Sequence, residues 1–82
     1  MSSNATRAER AEDALHAYVT GKGEVFEACT SEIADLMADL LHLTARYAAN
    51  DGGDVDAYID KALRLARLHF DAEHGNPEEE AA

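Results

Sequence analysis

Ser31-Glu32-Ile33-Ala34-Asp35-Leu36-Met37-Ala38-Asp39-Leu40-Leu41-His42-Leu43-Thr44-Ala45-Arg46-Tyr47-Ala48 is the stretch that decides the fold. Ile33, Leu36, Met37, Leu40, Leu43, Thr44, Tyr47 and Ala48 recur every three or four residues, the spacing of one helix face. Glu32, Asp35, Asp39, His42 and Arg46 fall on the other side. The pattern predicts a core helix with one wet edge. It identifies an architecture rather than an activity.

Working outward, Asn50-Asp51-Gly52-Gly53 reads as a turn, and Asp54 reads as the N-cap of a following helix from Val55 to about His74. Gly75 is placed to stop that helix and Pro77 to prevent its continuation. Val55, Tyr58, Ile59, Ala62, Leu63, Leu65, Ala66 and Phe70 form its apolar side, with Asp60, Arg64, Arg67 and Asp71 facing out. So short a turn makes the two helices an antiparallel hairpin. Upstream, Thr30 or Ser31 is expected to cap the long helix, with Glu32 favourable against its dipole. Glu24 to Cys29 is ambiguous: Val25, Phe26 and Cys29 could form a short helical turn that plugs the core, whereas a strand here would find no partner. Gly21-Lys22-Gly23 breaks the chain from a first helix, expected to run from a Thr6 cap to about Val19. That helix offers Ala8, Ala11, Leu15, Tyr18 and Val19, so its early turns should pack weakly. Met1 to Ala5 is expected to fray.

The predicted class is therefore all-α: a helical hairpin plus a weaker N-terminal helix, completed by dimerisation. Residues 1–75 read as one small domain and residues 76–82 as an acidic disordered tail. A chain of 82 residues buries only roughly 60–65% of its unfolded surface, so self-association or docking onto another protein would complete a thin core. A single cysteine, Cys29, excludes an internal disulfide and fits a reducing, cytoplasmic setting. No apolar run reaches the roughly 20 residues of a membrane span. A formal net charge of −10 argues against direct binding to nucleic acid or anionic membrane.

Several clusters are candidates for chemistry. His69 and Glu73 lie four apart and wind into the apolar arc of the third helix. Antiparallel pairing brings them toward Glu32 and Asp35, and carboxylates with a histidine from two helices are how bundle metal sites are built. The plainer alternative is a half-buried histidine satisfied locally, because paired Glu-x-x-His motifs are missing. Asp35, Asp39 and His42 share the wet edge of the long helix, but Arg46 follows on that edge and repels a cation. A partner-binding edge fits better there than a catalytic site. Glu32-x-x-Asp35 matches only half the carboxylate pattern of all-helical nucleotide pyrophosphatases. Gly21-Lys22-Gly23 lacks the spacing of a phosphate loop. Asp35 and Asp39 also sit about 6 Å apart along the axis, close to phosphate spacing, which would suit an acidic DNA mimic before His42 and Arg46 interrupt the row.

The stretches Gly23-Glu24-Val25-Phe26-Glu27, Ser31-Glu32-Ile33-x-Asp35-Leu36-x-x-Asp39-Leu40-Leu41-His42-Leu43 and Ala66-x-x-His69-Phe70-x-x-Glu73 resemble short hypothetical helical proteins from high-GC bacteria and their phages. The resemblance spans about Tyr18 to Glu73. It implies an accessory protein of a phage or mobile element that binds a host protein, and it brings no catalytic residues. The expectation is a non-enzymatic interaction module with no cofactor, homodimeric, with a host protein as a further partner. Met37, Leu40, Leu41, Tyr47, Leu63 and Leu68 are the candidate apolar contacts, and Asp35, Asp39 and His42 the polar ones. Leu68 stands out because it projects from the polar side of its helix. The alternatives are a metal- or nucleotide-binding helical enzyme using Glu32, Asp35, His69 and Glu73, or the DNA mimic.

Overall fold

The computed structural model describes residues 3–75. Pro77 and the expected acidic tail lie outside the described residues. Three helices follow in order: α1 (Asn4–Gly21), α2 (Thr30–Asp51) and α3 (Val55–His74). Among the described residues there is no strand. α2 and α3 form the antiparallel hairpin, and α1 packs against α2.

The hairpin is built as its turn sequence dictates. Gly52 ends α2 in the left-handed region at φ 72°, which a side chain would strain. The Gly53 amide then donates back to the Ala48 carbonyl at 2.8 Å, so the last turn keeps a partner. Asp54 caps α3 by accepting from the Ala57 amide at 2.8 Å. Across the turn, the Tyr58 hydroxyl bonds the Asp51 carboxylate at 3.1 Å, and that bond raises the Tyr58 pKa.

Both earlier helix starts differ from expectation. Ser3, not Thr6, caps α1: its Oγ accepts from the Thr6 amide at 3.1 Å. Starting one turn earlier brings Asn4 and Arg7 to the end of α3. There Asn4 Nδ2 donates to the Glu73 carbonyl at 3.1 Å, and Arg7 Nε pairs with the Glu73 carboxylate at 2.7 Å. The residues expected to fray thus include the first turn of a tethered helix. Cys29, rather than Thr30 or Ser31, occupies the N-cap of α2.

Residues 22–29, whose pattern is ambiguous, form an irregular connection with neither helical turn nor strand at 24–29. Val25 is 81% exposed and plugs nothing. Phe26 is half-buried, its ring 4.7 Å from that of His16. Ala28 adopts φ 54°, a left-handed kink no helix would contain. The segment kinks because Glu32 gathers its amides, a tie described below.

The buried core is small. Leu15 and Val19 of α1 and Ala48 of α2 are its only buried apolar residues among those described. α3 buries none: Tyr58 and Ile59 are half-buried, while Val55, Leu63, Leu65 and Phe70 are exposed. The row expected to face inward from α3 is therefore only partly covered. The weak helix α1, by contrast, supplies two of the buried side chains from its later turns.

Candidate protein-docking face

The apolar arc of α2 has covered shoulders and an open centre. Leu36 and Leu43 on one shoulder are half-buried, as are Leu41 and Ala45 on the other, where Ala48 is fully buried. Between them, at 100° per residue, lie Ile33, Met37, Leu40, Thr44 and Tyr47. Ile33, Met37, Leu40 and Tyr47 are 48%, 51%, 49% and 55% exposed. An isolated helix packed tightly on one neighbour is most buried at the middle of its arc, so this profile marks a helix held at its shoulders with its central row only half covered.

The reason lies in α1. It runs from the end of α3, where Asn4 and Arg7 hold Glu73, to the Asp35–Asp39 flank of α2. At that flank the Tyr18 hydroxyl donates to the Asp39 carboxylate at 2.5 Å and lies 3.2 Å from the Asp35 carbonyl oxygen. The Asp39 hydrogen bond raises the Tyr18 pKa. On the way, α1 offers α2 mainly the methyl groups of Ala8 and Ala11. These line a cleft of about 360 Å³ with Glu12, Leu15, Ile33, Leu36, Met37 and Leu40. Alanine is too short to cover the facing side chains, so the row stays half exposed.

Of the apolar contacts expected from sequence, Met37, Leu40 and Tyr47 lie in this row. Leu63 (46% exposed) sits one heptad before Phe70 (52%) on α3, so the two share a face. Phe70 lines the cleft where the start of α1 meets the end of α3, together with Asn4, Arg7 and Glu73. Leu41 is half-buried on a shoulder instead. Leu68 is 59% exposed, on the far side of α3 from Leu63 and Phe70. Asp35, Asp39 and His42 are exposed on the opposite edge of α2, where Tyr18 already engages Asp39.

The four residues suggested for metal or nucleotide do not form one site. Glu32 is buried and points away from α3: its carboxylate accepts from the Glu27 amide at 2.9 Å and the Cys29 amide at 3.2 Å. Burial pushes its pKa up, but hydrogen bonds from the Glu27, Cys29 and Ala28 amides outweigh burial and hold it below the ordinary glutamate value. Glu73 is engaged by Arg7. His69 is exposed rather than tucked into the apolar arc, and Asp35 is exposed as well. Among the described residues, no three His, Cys, Asp or Glu side chains are grouped to hold a metal ion. The Glu32 cluster is hidden in the helical pattern, which places Glu32 on the wet side. The available signal was Glu32 three residues after Cys29, the spacing at which a carboxylate reaches back to an N-cap amide.

No known protein family, curated protein or solved structure matches this chain.

Proposed function

We propose that this chain is a non-enzymatic protein–protein interaction module whose docking face is the open row Ile33, Met37, Leu40 and Tyr47, extended by Leu63 and Phe70. The observation that carries the reading is the exposure profile of α2: its arc is open at the centre and covered at the shoulders. Ile33, Met37, Leu40 and Tyr47 stand half exposed in one row of α2, and contiguous apolar patches mark interaction surfaces. The resemblance to short phage and bacterial helical proteins supports an accessory role acting on a host protein. On that reading Leu68 and the exposed side chains of Asp35 and His42 add contacts beyond the row, while Asp39 is engaged by Tyr18. The lone cysteine fits a cytoplasmic setting, and no helix among the described residues is long and apolar enough to cross a membrane.

Site-specific photocrosslinking in cells tests the assignment. A photoreactive residue in place of Met37 should give covalent adducts with protein, and the same residue in place of the exposed Asp13 should not. An absence of adducts at Met37 would overturn the docking face.

A further inference from the structure

We infer that the first half of α1, residues 4–14, is a lid that the chain lays across its own docking face, and that it opens by unwinding toward Leu15. The inference rests on the docking face proposed above and names what controls access to it. α1 is attached in two different ways. From Leu15 onward it is fixed by burial of Leu15 and Val19, and the Tyr18 hydroxyl bonds Asp39. Before Leu15 no side chain is buried, and Ala8, Ala11 and Glu12, which line the cleft with α2, are all exposed. Lifting them from α2 therefore forfeits little apolar contact.

The ties of this first half to α3 are polar and sit at its tip. Arg7 Nε pairs with the Glu73 carboxylate at 2.7 Å, and Asn4 Nδ2 donates to the Glu73 carbonyl at 3.1 Å. Arg7 Nη1 also donates to Asn4 Oδ1 at 2.8 Å, which joins the two donors in one clasp. The ion pair is partly exposed, so water competes with it. A helix end held by a wet clasp, with no buried side chain behind it, opens at lower free energy than the rest of the fold. Once released, so short a stretch does not stay helical alone.

The consequence lies in the position of Ala8. It lines the cleft of about 360 Å³ that holds Ile33, Met37 and Leu40, and also the cleft of about 320 Å³ that holds Phe70. The turn of α1 around Ala8 is thus the partition between the α2 row and the α3 end of the face. With the lid closed, a partner meets two separate clefts. With it open, Ile33, Met37, Leu40 and Phe70 stand on one apolar surface. The closed lid also sets the Glu12 carboxylate beside the row, a group that an apolar partner would have to desolvate. A partner that fills the joined surface binds the open form better and shifts the population toward it.

Loosening and locking the lid in the full chain tests the inference. Arg7→Ala and Glu73→Gln should each raise the open population about two- to fivefold, the range that an exposed ion pair supports. The readouts are faster amide exchange over residues 8–14, with residues 19–21 unchanged, and stronger fluorescence of the neutral apolar dye Nile red. For the lock, Ala8→Cys and His74→Cys, which line one cleft, are joined by a short bis-maleimide in a Cys29→Ser background. The locked chain should bind less dye than the same variant unlinked, and a photoreactive residue at Met37 should give fewer protein adducts in it. Unchanged exchange and dye fluorescence in both clasp variants would overturn the lid. So would a locked chain that keeps its full dye binding or its full Met37 adducts. An absence of Met37 adducts even in the unlinked chain would remove the docking face, while exchange and dye binding would still decide the lid.

Discussion

The hairpin and the α1 junction reverse the usual relation between amphipathicity and burial. α2 and α3 carry the strongly two-faced sequences, yet α3 buries no side chain and α2 buries only Ala48 and Glu32. α1, poor in large apolar residues, supplies Leu15 and Val19, two of the three buried apolar residues among those described. The lesson is that burial needs a covering surface, not merely an apolar arc. Leu15 and Val19 are enclosed because α2 and the 22–29 connection surround them, with Phe26 folded over His16. Ile33, Met37 and Leu40 stay open because alanines face them. The domain thus keeps its buried apolar contacts at one junction and leaves a half-exposed apolar row along α2.

Substitutions in the junction should break this comparison most severely. Leu15→Ala removes a buried side chain (6% exposed) from a core with little else in it. It should cost about 2–4 kcal/mol, read as a fall in the urea midpoint of the helical signal. Met37→Ala, at a 51% exposed site, should cost less than about 1 kcal/mol under dilute conditions. Equal losses at the two sites would erase the distinction between core and row.

Acid should act next, through Glu32. Its folded pKa lies below the ordinary value because three amides stabilise the carboxylate. The folded state therefore gains stability above the unfolded glutamate pKa, and loses it as pH falls through the lowered folded pKa. Urea midpoints should decline across that acidic window, and Glu32→Gln should flatten that part of the decline while lowering stability at neutral pH. A Glu32→Gln profile parallel to wild type would remove Glu32 from the account of the 22–29 kink.

The hairpin turn offers a smaller effect. Gly52→Ala forces a side chain into the left-handed conformation at φ 72° and should cost about 1 kcal/mol in the same urea titration. The Arg7–Glu73 pair is partly exposed, with side chains 30% and 38% accessible. Arg7→Ala should therefore change global stability by less than about 1 kcal/mol. It should instead speed amide exchange in the first turns of α1 while leaving α2 unchanged.

Much of this architecture was legible in the sequence. The turn at Gly52-Gly53, the Asp54 cap and the two hairpin helices follow from local chemistry, and the structure has them where the pattern puts them. Less legible was everything that depends on a second element. Ser3 displaced Thr6 as a cap because Asn4 and Arg7 find partners on α3, 66 or more residues along the chain. Glu32 turned inward because an irregular loop brought it three amides, a tertiary opportunity that a helical wheel does not show. The half-buried state of α3 follows from the thinness of α1, which the alanines hinted at but the periodicity of α3 itself concealed. The apolar candidates Met37, Leu40, Tyr47 and Leu63 were found from sequence, since they are bulky and periodic. Their exposure was visible only once α1 was in place.

The melting temperature of dilute Leu40→Glu, beside wild type and Leu15→Ala, tests the separation of the buried junction from the half-exposed row most directly. Leu40 is 49% exposed and Leu15 6%, so Leu40→Glu should melt close to wild type, with a change of less than about 1 kcal/mol, while Leu15→Ala falls well below it. A loss at Leu40 equal to that at Leu15 would place Leu40 in the core and contradict the account.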